Sequence, residues 1–358
     1  MITKSENQIL TPSQFVFTIL GSMLGIGILS LPNSLVKISR QDSWISTVIG
    51  AVYPLYISFI CIYISKKYPN NNILFLSKKY FGNFLGNVLN FLFLIESVLY
   101  ITSITSGYIN MMRVFSVEFL SPLKLSVFIT AVCMYAAYKG INLIGKISEI
   151  IFYITLPFIF LPIFSMGKST VLNLLPILGS GFSNVLKASI ETAFSYTGIE
   201  VLFLIYPYIN DKSKIKSSSL KGVFLTMLIY VWIVFITIYY FSLDVTSKNL
   251  WPVLGASEII DIPIINNFRY VFILSWIFIM LKIISIMNFV LLNILKDFMK
   301  GVSTKKICFF IYPVLAYLPL FLSNEIVRRN FLGKVTPIAV IFSIIYATSI
   351  ALSIRIKG

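Results

Sequence analysis

The sequence predicts an all-α integral membrane protein of about ten transmembrane helices, arranged as two halves of five in opposite orientation. Three observations carry this reading. Hydrophobic residues make up 58% of the chain and charged residues only 12%, with a mean hydropathy of +0.90, well outside the balance of a water-soluble domain. Apolar stretches of roughly 20 residues recur along the whole length, each long enough to cross about 30 Å of hydrocarbon as a helix. The first and sixth stretches are interrupted by small, flexible residues at similar depth.

The N-terminus, Met1 to Leu10, is polar and carries Lys4 and Glu6. It does not resemble a cleavable signal peptide, so the first span is expected to remain in the mature protein. Thr11-Pro12-Ser13-Gln14 is a helix start: Thr at the N-cap, Pro at the first helical position, and Gln three residues after the cap. The spans are expected at 13–37, 43–65, 84–113, 121–138, 147–166, 186–207, 219–243, 267–292, 307–323 and 334–354. They form a single transmembrane domain over residues 1–358, with a first half at about 11–166 and a second at about 184–355. No soluble domain, linker or low-complexity tract interrupts it.

Lys and Arg favour alternate loops. Lys66, Lys67, Lys78 and Lys79 follow the second span, Lys212, Lys214, Lys216 and Lys221 the sixth, and Lys296, Lys300, Lys305 and Lys306 the eighth. The positive-inside rule then places these loops and both termini in the cytoplasm. The net charge of +16 therefore points to membrane lipid headgroups, not to nucleic acid. Cys61, Cys133 and Cys308 lie in apolar segments without metal-ligand spacing and read as buried structural thiols. The chain contains no His, which excludes a Ser/His/Asp triad and any His-ligated metal. No enzymatic activity, metal or cofactor is expected.

Gly21-Ser22-Met23-Leu24-Gly25-Ile26-Gly27 followed by Pro32 weakens the first helix mid-membrane, and Ser195-Tyr196-Thr197-Gly198 does the same in the sixth. Unwinding there frees backbone groups, which is tolerable only where they line a cavity or meet a ligand. Amides opening the outer half-helix suit a carboxylate. Close helix packing is the competing reading, since Gly21 and Gly25 also form G-x-x-x-G. The sixth-helix run from Glu191 to Glu200 offers carboxylates, hydroxyls and aromatics to a small solute. Tyr100, Tyr108, Phe194 and Tyr196 are candidate pocket aromatics. Glu191 and Glu200 would stand about 13–14 Å apart along a continuous helix, too far to act as one pair.

Ionisable groups inside a membrane are costly and so are candidates for function: Glu96, Glu191, Glu200 and Lys282. Lys282 reads either as a stand-in for a coupling cation or partner of a carboxylate, or as a structural or snorkelling side chain.

With these residues in view, the chain resembles the B-subunit family of spore germinant receptors, the spore germination permeases of the amino acid, polyamine and organocation superfamily. The likeness runs through Thr11-Pro12-Ser13-Gln14 into Gly21 to Pro32, then Gln41-Asp42-Ser43-Trp44-Ile45-Ser46 and Lys67-Tyr68-Pro69. It continues in Gly198-Ile199-Glu200-Val201-Leu202 with Pro207, Trp251-Pro252 and Trp276-Ile277. It implies a LeuT-like 5+5 inverted repeat with helices one and six broken. It also implies a receptor subunit that binds a small germinant, an amino acid or another small nutrient, and works with an A subunit and a lipoprotein C subunit in the inner membrane of the bacterial spore. The ligand-binding positions it implies are Ser22, Gly25, Ile26, Gly27, Ser195, Tyr196, Thr197 and Gly198. A secondary amino-acid transporter is the alternative.

Overall fold

The chain enters its first helix through Thr11, whose hydroxyl accepts from the Gln14 N–H while the Gln14 side-chain oxygen accepts from the Thr11 N–H, both at 3.2 Å. This reciprocal cap gives partners to two amides at a helix start. The computed structural model describes residues 9–160, 163, 169–258 and 268–357. The polar start through residue 8, most of the expected fifth span beyond Phe160 and residue 267 of the expected eighth lie outside the described residues.

Span one is α1 (Pro12–Met23) and α2 (Gly27–Ser39), separated by Leu24, Gly25 and Ile26. Arg40, at φ 47°, ends α2. Span two is α3 (Ser43–Gly50) with α4 (Val52–Lys67). The 43-residue α5 (Ile73–Phe115) bends at Gly82, where φ is 79°, so the third span begins next to its expected start at residue 84. α6 (Pro122–Lys139) and α7 (Ile141–Phe160) complete the first half.

The second half opens with α8 (Phe182–Ser195), which continues through a tight turn at Ile199–Val201 into α9 (Leu202–Ile205) and Tyr206–Tyr208. The two parts of this sixth span meet at 49°. After α10 (Ile215–Tyr240), the short helices α11 (Leu243–Lys248) and α12 (Pro252–Glu258) lead to α13 (Phe268–Phe298). α14 (Thr304–Tyr317) and α15 (Glu325–Lys357) end the chain. Among the described residues, seven helical stretches are long and apolar enough to cross a membrane, or eight with the bent pair counted as one. Dividing Gly27–Lys67 at Arg40 and adding α6 gives the ten spans expected.

Hydrogen bonds fix the relative directions. Leu10 N–H donates to Tyr208 O and Asn210 N–H to Leu10 O, both at 2.9 Å, joining the start of span one to the end of span six. Asp42, ahead of α3, accepts from Leu178 N–H at 2.7 Å and Ser180 N–H at 2.9 Å, just before α8. At the other end of span two, the Tyr206 hydroxyl donates to Asn71 O. Span six therefore runs against span one and alongside span two. That is the geometry inverted halves require.

Several helices overrun their expected limits. α7 starts at Ile141, not 147, and α15 at Glu325, not 334. Hydropathy marks where a helix meets hydrocarbon, whereas the backbone stays helical into the headgroup region if its polar residues are paired. Glu325, for example, accepts from Arg328 at 2.6 Å and from Arg329 at 2.9 Å. Cys61 and Cys133 are buried as expected, while Cys308 is partly exposed.

Asp42 is fully buried and also accepts from the Ser180 hydroxyl at 2.7 Å. Asp42→Ala strands two amide donors, and a loss of about 3 kcal/mol is expected. Thermal melting of the detergent-solubilised protein checks this, with Asp42→Asn falling between the two.

Candidate functional site

The two helix breaks face each other, and side chains from three other helices hold them. α1 ends when Leu24 turns to ψ 93°. α8 ends at Ser195, and Gly198 then adopts φ 109°. Carbonyls of both breaks are left without helical partners. The Tyr230 hydroxyl, from α10, lies 2.8 Å from Met23 O and 3.0 Å from Ser195 O. The Tyr100 hydroxyl, from α5, donates to Thr197 O at 2.6 Å and has Ser22 O within reach at 3.4 Å. Each hydroxyl has one proton to give, so each tyrosine stitches break to break through a shared position.

Gly198 is required by contact as well as by conformation. A Cβ there would strike the Ser22 carbonyl oxygen, and its positive φ disfavours other residues. Its N–H donates to Glu200 Oε2 at 2.6 Å, and the Tyr53 hydroxyl from α4 donates to Glu200 Oε1. Both carboxylate oxygens thus accept from fixed donors.

Two adjoining cavities open at this crossing. The outer one, of about 230 Å³, is lined by Gly25, Ile26, Gly27, Glu191, Ser195 and Thr197, among others. Ile26, at the N-cap of α2, offers no side-chain cap, so the amides at this helix start point a positive end at the cavity. The inner one, of about 60 Å³, is lined by Glu96, Gly198 and Glu200 within a largely apolar wall. Tyr100, Thr197, Leu332 and Thr336 line both.

The structure separates the sequence candidates by role. Gly25, Ile26, Gly27, Ser195, Thr197 and Gly198 line one cavity or both. Ser22 and Tyr196 line neither and are fully buried. The Ser22 hydroxyl turns back onto Ile19 O at 2.8 Å. Tyr196 stacks on Tyr230 at 4.7 Å and donates to Thr47 O at 3.3 Å. Both shape the break. Of the candidate aromatics, Tyr100 and Phe194 line the outer cavity and Tyr108 neither.

Lys282 is 1% exposed. Its aliphatic stem lies over Gly21, where a Cβ would come within 2.9 Å of Cε. Its Nζ has no hydrogen-bond partner among the described residues. It neutralises neither Glu96 nor Glu200, and Gly25 likewise packs against Ile283. The close-packing and cavity-lining readings of the glycines both hold: Gly21 serves packing on α13, Gly27 meets open space, and Gly25 does both.

Sequence reasoning missed Tyr53, Tyr230 and the outer charged cluster. Arg328 Nε and Nη2 donate to Glu325 at 2.8 and 2.6 Å. Arg329 donates to Glu325 at 2.9 Å, to Asn33 Oδ1 at 3.3 Å and to Leu250 O at 2.6 Å, tying α15 to α2 and the α11–α12 connection. Both arginines line the outer cavity. Their i,i+3 and i,i+4 spacing from Glu325 was the available signal. The tyrosines had none, because only the fold brings them to the breaks.

Gly198→Ala is expected to cost at least about 2 kcal/mol from backbone strain alone. Gly27→Ala, where a Cβ meets no atom, is expected to fold normally. Yield of monodisperse protein after detergent extraction separates the two.

Comparison with known proteins agrees with this architecture. The family model described as "Spore germination protein" matches residues 9–327. Spore germination protein GerQB of Bacillus cereus is 25% identical over 322 residues, spanning 89% of this chain and 87% of its own. Spore germination protein YndE of Bacillus subtilis is 24% identical over 276 residues, 75% of each chain. Among solved structures, MhsT in complex with L-phenylalanine superposes with a TM-score of 0.63 at 15% identity, covering 95% of this chain and 87% of that one. Mhp1, a nucleobase-cation-symport-1 family transporter with bromovinylhydantoin bound, gives a TM-score of 0.65 at 12% identity, covering 92% and 77%. At these identities the structures speak for the fold alone, which is the LeuT-like transporter fold. The chain belongs to the spore germination permease family, the B-subunit family of germinant receptors.

Proposed function

We propose that this protein is a germinant-receptor B subunit that binds a small nutrient, an amino acid, where helices one and six break, and that binding triggers germination together with an A subunit and a lipoprotein C subunit. The observation that carries the reading is that both breaks open on one cavity of about 230 Å³ at the uncapped start of α2. An amino acid suits it chemically. Its carboxylate meets the amides and positive end of α2, and its remaining polar groups meet the carbonyls and hydroxyls around Ser195 and Thr197. The kinship with GerQB supports the germination role. The protein in this reading sits in the inner spore membrane with both termini cytoplasmic, as its Lys-rich loops favour.

Signalling requires that the ligand bind one conformation better than another. The outer cluster of Glu325, Arg328 and Arg329 bridges α15 to α2 and the α11–α12 connection, and of these α15 and α2 line the outer cavity. Closure of these parts on a ligand would convert occupancy into a change of shape that partner subunits read.

The transporter fold of the solved relatives favours one second reading, a secondary amino-acid transporter. Sustained, saturable uptake into liposomes by the isolated protein would support that reading and overturn a receptor-only role. For the receptor, Gly25→Leu fills the cavity wall beside Ile283 and is expected to abolish germinant response at wild-type protein level. Germination assays on spores carrying the variant check this, and normal germinant sensitivity would remove the site from the helix-one break.

A further inference from the structure

The inner cavity carries information about which ligand the outer one admits. Glu96 and Glu200 reach it from different helices, α5 and the turn after α8. Among the described residues, neither makes an ion pair with Lys or Arg. Glu200 accepts hydrogen bonds on both oxygens, from Tyr53 and the Gly198 N–H. Glu96 has the Ser343 hydroxyl 3.0 and 3.1 Å from its two oxygens. Hydroxyls and one amide are the neighbours supplied, and a hydroxyl can donate to a carboxylate or accept from a carboxylic acid. Two ionised carboxyls on one cavity repel each other unless a cation lies between them.

Among the described residues, no cation fills that place. Arg328 and Arg329 are held by Glu325 at the outer cavity, and Lys282 lines neither cavity. The rest of the inner wall is apolar, with Phe93, Met287, Val290 and Phe331. Its volume of about 60 Å³ would hold a few waters, or the end of a methylene arm in their stead.

We propose that the ligand is a cationic amino acid, its α-carboxylate at the start of α2 in the outer cavity and its side chain passing Tyr100 and Thr197 to place an ammonium or guanidinium between Glu96 and Glu200. The inference rests on the amino-acid pocket proposed above and specifies its chemical class. The apolar wall takes the methylenes, and the carboxylates take a charge that would otherwise be stranded in a low-dielectric site.

The test is direct binding to the full-length protein in nanodiscs, comparing L-lysine with L-norleucine, which has the same four-carbon arm without the ammonium. Lysine is expected to bind about tenfold more tightly or better, the scale of a charge-assisted hydrogen bond. Glu96→Gln is expected to bring the ratio close to one. Equal or tighter binding of norleucine to the wild type overturns the proposal while leaving the pocket reading intact, and this comparison stands even if the variant fails to insert. A lysine preference that survives in Glu96→Gln also overturns it. A Na⁺ or K⁺ requirement for norleucine binding that Glu96→Gln abolishes would assign the carboxylates to an inorganic cation, again overturning it. Binding of neither amino acid, nor of alanine, would remove the pocket reading and this inference together.

Discussion

The fold depends on satisfying the backbone where two membrane helices stop and restart. Hydrocarbon offers no partner to a freed carbonyl or amide, and each one left unpaired there costs several kcal/mol. Tyr100 and Tyr230 meet that demand from α5 and α10, each placed between a carbonyl of one break and a carbonyl of the other. Glu200 meets the Gly198 amide and is held in turn by Tyr53. The breaks are therefore locked together by side chains that belong to neither. The amides at the start of α2, by contrast, have no side-chain cap. Capped carbonyls on one side and a helix start without a side-chain cap on the other give the crossing its polarity.

Charge is sorted along the same axis. At the outer cavity, the two arginines pair with Glu325 and fasten α15 to its neighbours. Arg328 lies against Gly107 of α5, where a Cβ would approach its guanidinium to 2.9 Å, so the outer cluster also rests on the helix that supplies Tyr100. Further in, Glu96 and Glu200 face a small apolar cavity without a basic partner among the described residues. Buried charges are normally paired. A ligand that supplied the pairing charge would bind one arrangement of these helices better than another and so shift a conformational equilibrium.

Much of the fold was legible because membrane spans obey simple rules of length and apolarity. The capping box at Thr11 and Gln14 and the breaks near Gly25 and Gly198 were readable from residue type alone, since Pro, Gly and short polar residues act locally. Helix ends were less so. Glu325, Arg328 and Arg329 extend α15 beyond its apolar core because they pair with one another, and hydropathy scores them as loop. The site was half legible. Glycines and hydroxyls at the breaks announced themselves, but Ser22 and Tyr196 turned inward to hold backbone, and Tyr53 and Tyr230 entered from distant helices. Nothing in an aromatic-rich sequence distinguishes a tyrosine that clamps a carbonyl from one that packs against lipid. Lys282 illustrates the same limit: its position over Gly21 follows from the approach of α13 to α1, which spacing along one helix does not reveal.

Hydrogen–deuterium exchange of the full-length protein in nanodiscs tests the central claim most directly, using the amino acid from a panel that raises its melting temperature most. If the paired breaks form the ligand site, binding slows exchange at residues 24–28 and 196–201 together, with lesser protection at the outer ends of α2 and α15. Protection at neither break, with slowing confined to the cavity lined by Arg113, Glu118 and Trp251 or to the Lys-rich loops, would contradict the account.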